Sequence, residues 1–180
     1  MKIILKLIIF QVFWNYGQVG IETITPASSA ILDFPTTNNK RGIILPIVES
    51  LPTIGTASAS RGTILLDKND GKIKALIYKE TTSGSGVFQD TWDNLTKNNG
   101  NVSSAVNNSG SEVGSGVIIG ATSSSAVGVL VLESTNKALV LPKIANAHLT
   151  VVNPYPGMMC YDTTNKVVSI FNGEKWYFLR

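Results

Sequence analysis

Three groups of residues have the types and spacing that chemistry could use. His148 is the single histidine, so clusters of histidine ligands are excluded and any Ser-His-Asp relay would have to pass through it. No Gly-x-Ser-x-Gly elbow accompanies it, and a polar residue on a short helix or turn is the plainer reading. Asp90 and Asp93 flank Trp92 closely enough to suggest the paired carboxylates of glycoside hydrolysis. Two aspartates beside a glycine-rich loop read more simply as a solvated strand end. Asp67-Lys68-Asn69-Asp70-Gly71 alternates carboxylate and amide oxygens as calcium prefers. Its glycine arrives one position early for an EF-hand loop, and Tyr78 stands where the closing glutamate belongs. A hairpin turn accounts for these residues better. No phosphate-binding loop occurs, and no catalytic residue, metal site or cofactor is expected.

The segments that would position such groups look like those of a small exported β protein. The start Met1-Lys2-Ile3-Ile4-Leu5-Lys6-Leu7-Ile8-Ile9-Phe10 runs on to Asn15-Tyr16-Gly17, giving two cations, a short apolar run and a polar exit. This is the layout of a secretory signal peptide over residues 1–17, too short to span a bilayer. Without it the formal charge falls from +3 to +1, since Lys2 and Lys6 leave the 15 basic residues and the 12 acidic ones remain. The apparent basicity is therefore mostly export signal, and a near-neutral chain offers no footprint for nucleic acid. Cys160 is the only cysteine, so no intrachain disulfide can form, and a buried inert thiol is expected.

One unit is written twice. The segment from Leu32 through Lys40-Arg41-Gly42-Ile43-Ile44-Leu45-Pro46 aligns with that from Leu130 through Lys137-Ala138-Leu139-Val140-Leu141-Pro142. Arg61-Gly62-Thr63-Ile64-Leu65-Leu66-Asp67 matches Pro156-Gly157-Met158-Met159-Cys160-Tyr161-Asp162, and Lys72-Ile73-Lys74-Ala75-Leu76-Ile77 matches Lys166-Val167-Val168-Ser169-Ile170-Phe171. Each copy closes on a tryptophan, Trp92 or Trp176. Asn172-Gly173 between two apolar runs is the strongest hairpin signal. Short Ile/Val/Leu/Thr runs bounded by Pro, Gly, Asn and Asp predict strands, with at most one helical turn near residues 144–149. The expected class is all-β: two related β-rich repeats, 18–95 and 128–180, joined by a Gly/Ser/Asn-rich linker or thin β stalk over 96–127, with little helix beyond the signal peptide. A unit of about 50 residues buries too little apolar surface to offset an ordering cost of roughly 1–2 kcal/mol per residue. The copies must lean on each other or on neighbouring chains.

These residues bear a family likeness. Gln18-Val19-Gly20-Ile21 with Pro26 and Ser29-Ala30-Ile31-Leu32-Asp33, then Ser134-Thr135-Asn136-Lys137, Leu141-Pro142, Pro156-Gly157-Met158-Met159, Tyr161-Asp162 and Phe171-Asn172-Gly173 before Trp176, resemble secreted Flavobacterium-type (Bacteroidota) proteins, tail-fibre-like or adhesin-like and mostly uncharacterised. Glu22 stands where those proteins usually carry glycine. The resemblance implies an exported, β-rich surface or fibre-like protein, some members being trimeric, and brings no catalytic residues. Asp162-Thr163-Thr164 further resembles an O-glycan acceptor pattern of such bacteria, with Thr163 as acceptor.

The leading expectation is a secreted, non-enzymatic structural or adhesive component at the cell surface. Self-association, with a trimer as one form, is expected, and Trp92, Trp176 and Tyr177 would be the core or binding anchors. Extracellular glycans or surface proteins are the other partners to consider, with no membrane span in the mature chain. A carbohydrate-binding module is the alternative, needing Trp176 and Phe178 as an exposed platform. A small hydrolase using Asp90, Asp93 or His148 is the third reading.

Overall fold

The structure, a computed structural model, describes residues 18–35, 40–53, 60–102 and 116–180. The expected signal peptide lies outside them. The fold is all-β, with one helical turn among the described residues, α1 (Ala147–Thr150), at the place the sequence allows it.

Two larger sheets carry the core. In the first, β4 (Ile47–Val48) lies parallel to β5 (Ile64–Asp67), which pairs antiparallel with β6 (Ile73–Glu80) and so on to β7 (Phe88–Asn94). The second repeats that order: β11 (Lys143–Ile144) is parallel to β12 (Met158–Asp162), followed by antiparallel β13 (Val167–Phe171) and β14 (Trp176–Leu179). Even the flanking bonds recur. Leu66 N–H donates to the Pro46 carbonyl and Lys68 N–H to that of Val48, as Tyr161 N–H donates to Pro142 and Thr163 N–H to Ile144.

The ladder corrects the sequence alignment by one residue. Ile73 stands opposite Leu66, and Val168 opposite Tyr161, so Ile73 corresponds to Val168 and not to Val167. A one-residue slip exchanges the two faces of a strand, and the corrected register brings the tryptophans into line. Leu76 faces Trp92 as Phe171 faces Trp176.

Smaller parallel ladders precede each sheet. β1 (Val19–Gly20) pairs with β2 (Ala30–Asp33), and β8 (Val117–Ile119) pairs with β9 (Leu130–Leu132). Val19 opposes Leu32 and Val117 opposes Leu130, the same spacing in both copies. The second repeat therefore has an opening strand of its own, inside the stretch whose composition suggests a linker. That match also explains Glu22. It holds φ +56°, and the equivalent Gly120 holds φ +98°, the left-handed region that glycine enters without steric cost.

The repeats then exchange strands. β3 (Ile43–Ile44) of the first adds to β12 of the second, while β10 (Ala138–Leu139) of the second adds to β2 of the first. Between the large sheets sits a shared core of Leu45, Leu66, Ile73, Val102, Met159 and Ile170. Neither sheet closes that core alone, which answers the size problem posed by the sequence. On the far face of the second sheet, Ile144, Ala147, Met158 and Cys160 form a smaller cluster covered by Val151, Phe171 and Trp176.

Candidate self-association surface

The residues with chemical promise are held by structural roles. Asp90 takes Arg61 at 2.6 Å, and Asp93 takes Lys79. Three residues apart on one strand, they point to opposite faces, and His148 belongs to the other sheet's surroundings, 3.9 Å from the Asp162 carboxylate. The three are not brought to one cleft. Asp67 to Gly71 forms the expected turn: the Asp67 carboxylate accepts from the Asn69 N–H at 2.9 Å and the Lys74 ammonium at 2.6 Å. Burial opposes ionisation of Asp67, but Lys74 and Asn69 outweigh it and hold the carboxyl below its usual range.

Asp162 occupies the same position in the second sheet. It is fully buried, and accepts from the N–H groups of Asn146, Ala147, Thr164 and Asn165 and from the Asn165 amide, all at 3.0–3.1 Å. Burial again raises its pKa and is overcome by those donors, so it too lies below the ordinary carboxylate range. Thr163 beside it is exposed. Among the described residues, no group of acidic, histidine or cysteine side chains could hold a metal ion.

The aromatic anchors are half-buried. Trp176 packs on the second cluster with its ring 5.4 Å from Phe171. Trp92 buries its indole Nε1, which meets no hydrogen-bond partner among the described residues. The Tyr177 hydroxyl accepts from the Asn98 N–H at 3.1 Å, tying the hairpin to the segment after β7. Phe178 is exposed and meets His148 edge-on at 5.6 Å. The Asn172-Gly173 turn forms as expected. Only Gly173 takes positive φ, while Asn172 is buried and its side-chain Oδ1 accepts from Glu174 and Lys175 N–H.

What the sequence reading missed is a set of uncovered apolar side chains along the parallel ladders. Ile24 is 98% exposed and Val127 84%. Val19, Ile21, Val117, Val129 and Leu130 are also exposed. β9 pairs only with β8, and β3 only with β12, so both keep an open edge among the described residues. Apolar residues beside unpaired backbone groups form a template for another strand. The alternation of small and apolar residues at Gly116-Val117-Ile118-Ile119 and Ala126-Val127-Gly128-Val129 underlies the β-stalk alternative for this stretch, but alternation alone does not say that these side chains stay uncovered.

Among the described residues no helix is long and apolar enough to cross a membrane. No curated protein and no solved structure matches the chain. Residues 118–180, which hold Val127, Val129 and Leu130 of the uncovered set and strands β11 to β14 of the second sheet, are similar to the family described as phage tail like trimerisation region.

Proposed function

We propose that the protein is a secreted, non-enzymatic structural subunit that works as a homotrimer in a fibre-like or adhesive assembly at the cell surface. The observation that carries this reading is the uncovered apolar ladder at Val117, Val127, Val129 and Leu130, which lies in or beside the segment similar to a trimerisation region. A lone chain would leave those side chains in water, whereas self-association removes them from it. The dispersed ion pairs of Asp90 and Asp93 agree with scaffolding in preference to reaction chemistry. Carbohydrate binding is the lesser reading, because Trp176 is engaged with the second core cluster.

The test is the solution mass of the purified mature chain by light scattering across a range of concentrations. Three times the chain mass, persisting on dilution, is the expected result. A monomer at all concentrations overturns the proposal.

A further inference from the structure

The two repeats of one chain meet through two strand additions, and each has an unfilled image. β3 adds antiparallel to the start of β12, with Ile44 opposite Met158 and Ile43 opposite Met159. β10 adds parallel to β2, with Ala138 opposite Ala30 and Leu139 opposite Leu32. By the repeat, Leu139 and Val140 correspond to Ile43 and Ile44, β5 corresponds to β12, and β9 corresponds to β2. The images of the two contacts are therefore Leu139 and Val140 on the start of β5, and β3 on the free side of β9.

Both places are open among the described residues. β4 covers β5 only at Leu66 and Asp67. The Thr63 carbonyl accepts from Leu76 N–H, and Asp67 N–H donates to the Lys72 carbonyl, so both face β6. Alternation along the strand turns the backbone groups of Ile64 to the opposite edge, where Leu66 N–H already reaches Pro46. β10 forms the outer strand of its sheet and β9 has a single neighbour. The geometry around Thr63 is that of Met158: Thr63 N–H donates to Ser60 as Met158 N–H donates to Tyr155, and Gly62 N–H donates to Leu76 as Gly157 N–H donates to Phe171. The receiving edge of β5 is thus shaped like the edge of β12 that already holds a strand.

We propose that the contact between repeats recurs between chains: Leu139 and Val140 of one chain pair antiparallel with Ile64 and Thr63 of the next, whose β3 lies along β9 of the first. The occupant is a second copy of this chain, because the repeats of a single chain already spend their mutual contact on each other. Each strand uses both edges, β10 bridging its own β2 to the neighbour's β5, and β3 bridging its own β12 to the neighbour's β9. Such a head-to-tail contact makes a ring when its rotation closes. In a trimer the ring has six repeats. This rests on the self-association reading and specifies its interface.

The experiment uses the full mature chain with Cys160→Ser, adding Ile64→Cys and Leu139→Cys. Directly opposed strand residues lie within reach of a disulfide. After oxidation, disulfide-linked dimers and trimers on a non-reducing gel are expected, lost on reduction. A second pair, Thr63→Cys with Val140→Cys, should link chains in the same way, and guards against one pair failing to fold. Ile43→Cys with Met159→Cys is the reference for the contact within a chain and should run as a monomer. A trimeric mass with neither Ile64/Leu139 nor Thr63/Val140 linking chains overturns this interface while leaving the trimer standing. A bond inside one chain at those pairs, or links between chains at Ile43/Met159, overturns it too. A monomeric wild-type mass instead refutes the self-association reading itself.

Discussion

Asp67 and Asp162 hold the same position in successive sheets: each ends an inner strand, is buried, receives a parallel neighbour strand, and folds its carboxylate back onto the turn that follows. The difference lies in their partners. Asp67 relies on a cation, since Lys74 lies 2.6 Å away and also reaches Asp70 at 3.1 Å. Asp162 relies on amides, including the two that enter α1.

Truncating Asp162 leaves several N–H donors without an acceptor in a buried place, at about 1–3 kcal/mol for each group not rescued by water. Asp162→Ala is expected to lower stability by roughly 3 kcal/mol or more, read as a shift in the urea midpoint at unchanged slope. Asp162→Asn, which keeps one acceptor oxygen, should lose less.

Both carboxyls have folded pKa values below their unfolded values. The unfolded chain therefore binds protons first as pH falls, and the stability these groups give is complete above the unfolded value of about 4. It declines as pH drops from there through the lower folded values. Urea midpoints should be flat with respect to these two groups from pH 6 to 7 and fall below about pH 4. Asp162→Ala should reduce the steepness of that fall.

Burial, reinforced by the neighbouring Asp162 carboxylate, pushes the Cys160 thiol up to about 12. The thiolate is the reacting form. At pH 8 the native protein should react with a thiol reagent at least about a hundredfold more slowly than the urea-unfolded chain, as followed by absorbance. Rapid native labelling would contradict the buried placement in the second cluster.

Gly173 and Gly84 separate backbone strain from collision. Both have positive φ, +93° and +81°, but a Cβ on Gly173 would collide with the Asn101 carbonyl oxygen, while one on Gly84 meets open space. Gly84→Ala should cost roughly 1 kcal/mol from conformation alone. Gly173→Ala should cost distinctly more, visible as a larger drop in melting temperature.

Val129→Asp places a charge on the exposed ladder without touching either core cluster. If the ladder is buried by assembly, the concentration at which the trimer dissociates should rise by about tenfold or more, equivalent to about 1.4 kcal/mol, by light scattering on dilution. Thr82→Asp, on the exposed loop between β6 and β7, should leave that concentration unchanged.

The chain's one-dimensional pattern determined its class, its duplication, its lone cysteine and its turns, because strand alternation, Asn-Gly and Asp-led turns are local matters decided by neighbours in sequence. Ile73 shows where that reach ended: its lysine neighbour suggested one alignment, and only pairing with Leu66 settled which face it occupies. Val117 shows another limit, since two-residue and three-residue strands in a serine-rich stretch acquire meaning only from the partner beside them. The crossing of β3 and β10 between repeats was decided by tertiary structure alone. Nothing local names a strand's distant neighbour; the need to bury a core that neither sheet can close alone does.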